Sequence, residues 1–157
     1  MSRKADFAGA TLTVTLTENL TINGRDYGAI QTYEVPSIVD VVRRVVTVST
    51  KEANLWLLGV SALAGTSVIA DTMYMRFTNL DDTNHVVLTF ANADADEFAI
   101  KIDKGQSFLV FGDAAGGMAA MMDAKDSALS LSLNNITSIT ADADTASCDM
   151  EIYIAGK

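Results

Sequence analysis

Four residue types that usually carry chemistry or fix structure occur once each in these 157 residues: cysteine, histidine, proline and tryptophan. Cys148 alone excludes an intrachain disulfide and a cysteine-based metal cage, since both need further thiols or several histidines. Synthesis in a reducing cytoplasm fits this composition. With His85 as the lone imidazole, a nucleophile, base and orienting group on the usual pattern has little to draw on. His85 follows an Asp-Asp-Thr-Asn turn and starts a strand, which predicts a structural or solvated ring at a sheet edge. None of the serines lies in a Gly-x-Ser-x-Gly elbow. Gly112, Gly116 and Gly117 share a segment, but the lysine and hydroxyl of a phosphate loop are missing. The reading is a protein that is not an enzyme and takes no cofactor.

Basic side chains are also scarce, 11 against 20 acidic ones, for a net charge of −9. The imbalance is uneven: residues 1–51 sum to +1 and residues 52–157 to −10. So acidic a surface repels phosphates, which argues against direct nucleic-acid binding and leaves the N-terminal third best suited to lie against another surface. Long apolar runs are absent as well. The longest candidate, Leu55 to Ala70, is interrupted by Gly59, Gly65 and hydroxyl side chains and is too short to cross a bilayer. Behind Arg3, Lys4 and Asp6 no apolar leader core follows. The expectation is a soluble chain with no membrane partner.

What is present is hydrophobic alternation. At 49% apolar and 20% charged residues, the chain has enough apolar side chain to offset the entropy of ordering one domain. From Asp71 to Phe111 four strands follow one another. Met73, Met75 and Phe77 face away from Tyr74, Arg76 and Thr78; Val86, Leu88 and Phe90 from Val87 and Thr89; Phe98, Ile100 and Ile102 from Ala99, Lys101 and Asp103; and Lys104-Gly105 turns the chain toward Phe108 and Val110. Leu12, Val14 and Leu16 alternate with threonines in an earlier strand, and Leu20 to Ile22 extend or re-enter it. Asn23-Gly24 predicts a tight hairpin into Tyr27 to Val35.

Pro36 is expected to end that strand, with Ser37 capping a short helical turn before a strand over Val42 to Val48. Leu55 to Val60 reads as a buried strand, Ser61 to Ala70 as a loop, and Gly112 to Asp126 as a long loop with room for one helical turn at Met118 to Ala124. Leu129 to Leu133, Ile136 to Ala141 (after Asn134 and Asn135 as punctuation) and Cys148 to Ala155 read as further strands, with the thiol of Cys148 in the core. The fold class that follows is all-β: an antiparallel β-sandwich, jelly-roll-like, over residues 11–157, with an N-terminal arm at residues 1–10.

Three constellations invite a binding role. Asp94, Asp96 and Glu97 form the densest acidic cluster; hard cations take carboxylate oxygens, but the spacing misses a calcium loop, so a solvated hairpin tip is the preferred reading. Tyr33, Tyr74 and Trp56 are the candidates for a sugar-stacking surface among eleven aromatic residues, most of which are in core phase. Met118, Met121 and Met122 are too apolar for a merely solvated loop; they fold over the end of the sandwich or contact a neighbouring subunit.

In overall texture the chain resembles the small β-sandwich virion structural proteins of tailed bacteriophages, especially marine and cyanobacterial ones. The resemblance lies in Leu20 to Gly28, Met75 to Asp81, Glu97 to Phe108 and Asp149 to Ile154. It implies a capsid decoration or cement protein that binds and stabilises the assembled shell, located in the virion after assembly in the host cytoplasm. Its partners would be the major capsid protein or other virion subunits, including copies of itself. A tail or neck connector subunit and a carbohydrate-binding module are the alternatives. Arg3, Lys4 and Phe7 of the arm, with Met118, Met121 and Met122, are the expected partner contacts.

Overall fold

The computed structural model describes residues 9–59, 66–68, 72–111, 119–120 and 134–157. The chain opens with β1 (Ala10–Glu18), turns through the small pair β2 (Thr21–Ile22) and β3 (Arg25–Asp26), and returns as β4 (Ala29–Ile38). Then come β5 (Asp40–Val48), β6 (Ala53–Gly59), β7 (Thr66–Val68), β8 (Thr72–Asn79), β9 (Val86–Asn92), β10 (Glu97–Ile102) and β11 (Ser107–Phe111). Last are β12 (Ala119–Ala120), β13 (Asn134–Ala143) and β14 (Cys148–Gly156).

Two sheets face each other. One has the order β11-β8-β14-β5; the other has β10-β9-β13-β6-β7, with β12 on β13. Apart from the β9–β10 hairpin, consecutive long strands from β5 onward alternate between the sheets. That order is a jelly roll, in which the chain wraps a single core twice over.

The core is made by the predicted alternation, except that Met73, at a register shift between β8 and β14, joins Tyr74 in a separate cluster instead of Met75 and Phe77. Met75, Phe77, Val86, Leu88 and Phe90 are fully buried and meet Met150, Ile152 and Ile139 from the strands that return later. Burying each such side chain stabilises the fold by roughly 1.5–3 kcal/mol. Phe90 is central: its ring stacks on Phe98 at 4.8 Å and meets Phe77 and Phe108 edge-on. Cys148 joins this core, its thiol buried against the carbonyls of Ala146 and His85.

The hairpin at Asn23-Gly24 forms as expected. Ile22 pairs with Arg25 around a two-residue loop, with φ of 51° at Asn23 and 74° at Gly24, the left-handed region that this turn requires.

Several expectations are corrected. Pro36 does not end its strand: β4 continues to Ile38, and a register shift opposite Ala10 to Leu12 absorbs the missing donor, as bulges do for proline. Ser37 caps no helical turn. Its φ is 63° and Val39 donates to the Gly156 carbonyl at 2.9 Å, so the segment passes straight into β5 beside β14. The loop expected at Ser61 to Ala70 contains β7, which pairs in parallel with β6. Asn134 and Asn135 do not punctuate but begin β13, and Ala119-Ala120, expected in a loop or helical turn, pair with them as β12. The strand expected at Leu129 to Leu133 lies outside the described residues.

Candidate interaction surface

The most informative surface lies outside the core, where the β1–β4 hairpin crosses the outer face of the four-stranded sheet. Leu12, Val14 and Val35 share one face of the hairpin, because Leu12 pairs with Val35 and Val14 with Tyr33. That face packs with Ile38 on Met73, Tyr74, Leu109, Tyr153 and Ala155, forming a second, smaller core. Tyr74 was a candidate for exposure and is only 3% exposed, because the hairpin covers it. Burial raises its phenol pKa above the ordinary value, with Arg76 pulling the other way.

Between β1 and the sheet runs a groove of about 500 Å³, walled by residues 12–16 on one side and by Tyr74, Arg76, Ser107, Leu109 and Tyr153 on the other. Five consecutive residues of β1 line it, so the strand presents its backbone edge as well as side chains. At its rim Glu151 receives two guanidinium groups: Arg76 at 2.5 Å and Arg43 at 3.1 Å. Hydrogen bonding from Arg76, followed by that from Arg43, outweighs desolvation and holds the Glu151 carboxyl below its usual pKa. Arg76 also lies 5.8 Å from the centre of the Tyr153 ring and donates to Thr78, whose hydroxyl bonds to Ser107.

Beyond the groove the hairpin stands clear of the sandwich. Every residue from Thr15 to Gly28 is exposed. A break at Tyr27 and Gly28 separates the β2–β3 tip from the β1–β4 ladder. A side chain at Gly28 would meet the Glu18 carbonyl at 2.7 Å, and the Gly28 N–H donates to the Asp26 carboxylate at 2.7 Å. The tip bears Leu20, Ile22 and Tyr27; Ile30 is exposed along β4, and Tyr33 and Phe111 are exposed together at the hairpin's base. The sequence carries a signal for this beyond the turn itself: apolar residues persist on both sides of Asn23-Gly24.

The other candidate residues fall elsewhere. Arg3, Lys4, Phe7, Met118, Met121 and Met122 lie outside the described residues. Asp94 and Asp96 sit in the β9–β10 turn, where their backbone N–H groups both donate to the Asn92 side chain at 3.0 Å and the Asp96 carboxylate accepts from its amide. No group of three or more His, Cys, Asp or Glu side chains among the described residues converges as a metal site would, Glu97 included. His85 lies 3.6 Å from Asp144, tying the β8–β9 loop to the β13–β14 loop. Trp56 is buried beneath the Arg44 guanidinium, so of the three aromatic candidates only Tyr33 is exposed, and it leans on Phe111.

No protein-family model matches the chain, and no curated protein does. Among solved structures, the chain is similar to one from work on Bacillus described as "Bacillus endospore appendages form a novel family of disulfide-linked pili". The identity is 11% and the TM-score 0.43, over 100% of this chain and 98% of the other. A likeness of that degree carries no inference for this protein.

Proposed function

We propose that this chain is a structural subunit of a larger protein assembly, and specifically a virion component of the capsid decoration type. Its work would be to bind neighbouring subunits and stabilise the shell they form. The observation that supports this most is the projecting hairpin. A two-stranded ribbon is marginal in water by itself, yet this one exposes Leu20, Ile22, Tyr27 and Ile30. Apolar surface of that kind is maintained when a partner covers it. The jelly roll beneath supplies a rigid platform, and the hairpin base is anchored to it by the second core.

A tail or neck connector is the second reading, favoured by the same hairpin, because rings and stacks are built by ribbons that reach across to the next subunit. Quantitative mass spectrometry of purified particles from the source tests the proposal. The chain is expected in the particle fraction at a fixed ratio to a shell protein; a fixed ratio to a tail or neck protein selects the second reading. Absence from particles overturns both.

A further inference from the structure

We infer that the hairpin tip, residues 19–28, seats in the groove beneath β1 of a second copy of this chain, linking subunits arm to groove. The inference rests on the assembly-subunit reading above and names its contact. Thr21 pairs with Asp26, Ile22 pairs with Arg25, and the Tyr27 N–H donates to the Leu20 carbonyl at 2.8 Å. Paired residues share a face and that face recurs at every second residue. Leu20, Ile22 and Tyr27 therefore share one face with Arg25, the partner of Ile22, while Asp26 lies on the opposite face; the three apolar side chains are 50%, 51% and 56% exposed.

The groove is the concave counterpart. Leu12, Val14 and Leu109 give it apolar walls, with the rings of Tyr74 and Tyr153 beside them. Its volume of about 500 Å³ lies in the range of sites that enclose several side chains or a small ligand. A chain's own tip cannot fill it. The groove runs beside residues 12–16, whereas Asn23 lies roughly 23 Å further on, at about 3.3 Å per residue along the strand.

Charge selects a second copy as the occupant. Around the tip Glu18, Arg25 and Asp26 leave one negative charge in excess. At the groove rim Arg43 and Arg76 share only Glu151, leaving one positive charge in excess. Residues 10–51 are neutral overall, with four basic and four acidic side chains, while residues 52–157 carry −10. Contact through the hairpin brings a neutral segment of one copy, rather than an acidic one, against the other copy. A strongly basic partner would find its attraction elsewhere, on that acidic remainder.

Sedimentation velocity of three full-length chains tests this: the unaltered protein, a double variant Leu20→Asp with Ile22→Asp, and Ser107→Trp, which fills the groove from an exposed position. The unaltered chain is expected to sediment as oligomers at tens of micromolar. Each variant is expected to be a monomer with its thermal unfolding preserved. An equal mixture of the two variants should form heterodimers, since one retains the groove and the other the tip. A monomeric unaltered chain, or a tip variant that assembles as the unaltered chain does, overturns the inference. A monomeric chain that is nonetheless found in purified particles would leave the assembly-subunit reading standing while this contact falls. An oligomer absent from particles would do the reverse.

Discussion

Phe77 and Phe90 meet edge to face across the two sheets, their ring centroids 6.2 Å apart and their planes at 83°. This contact joins β8, an inner strand of one sheet, to β9, an inner strand of the other, and both rings are essentially inaccessible to water. Truncating Phe90 to alanine would leave a void bordered by three other rings. Phe90→Ala is expected to cost about 3–5 kcal/mol, measured by urea denaturation. A loss below about 1 kcal/mol would mean that the sheets are not held together there.

Glu151 gives a pH dependence. Its carboxyl pKa is depressed in the folded chain, first by the hydrogen bond from Arg76 and then by that from Arg43. Its contribution to stability is therefore fully present above the unfolded value of about 4.3. It is lost as pH falls through the lower folded value. Glu151→Gln should lower stability at neutral pH by about 1–2 kcal/mol. The difference from the unaltered chain should shrink below about pH 4. Thermal unfolding midpoints between pH 7 and pH 2 check this, and a gap that widens toward acid would refute it.

Cys148 should be silent in the native protein. Burial pushes its thiol above the ordinary cysteine pKa, and nearby Asp81 adds to the effect; the thiolate is the reactive form. Alkylation at pH 8 is expected to follow the rate or extent of unfolding and to rise sharply in denaturant. Rapid stoichiometric labelling of the folded chain would contradict the placement of this residue in the core.

Much of the jelly roll was legible because its strands alternate cleanly. In β9, Val86, Leu88 and Phe90 are buried while Val87 and Thr89 are not, as the period of two requires. The outer layer was harder to read. Tyr74, Leu109 and Tyr153 lie on what should be the solvent face of their strands, and only the covering hairpin explains them. A residue pattern along one strand does not say which later or earlier segment will lie over it. Pro36 misled for a related reason: the bulge that accommodates it depends on the partner strand β1. The groove was not legible at all, since its walls come from strands far apart in sequence.

The most direct measurement is the mass in solution of the unaltered chain beside one in which residues 19–28 are replaced by Asn-Gly. That splice suits the ladder, because Glu18 and Ala29 already pair. The account predicts identical thermal unfolding for the two chains, with assembly only in the unaltered one. Equal masses for both would contradict it, because the hairpin tip would then have no part in joining one subunit to another.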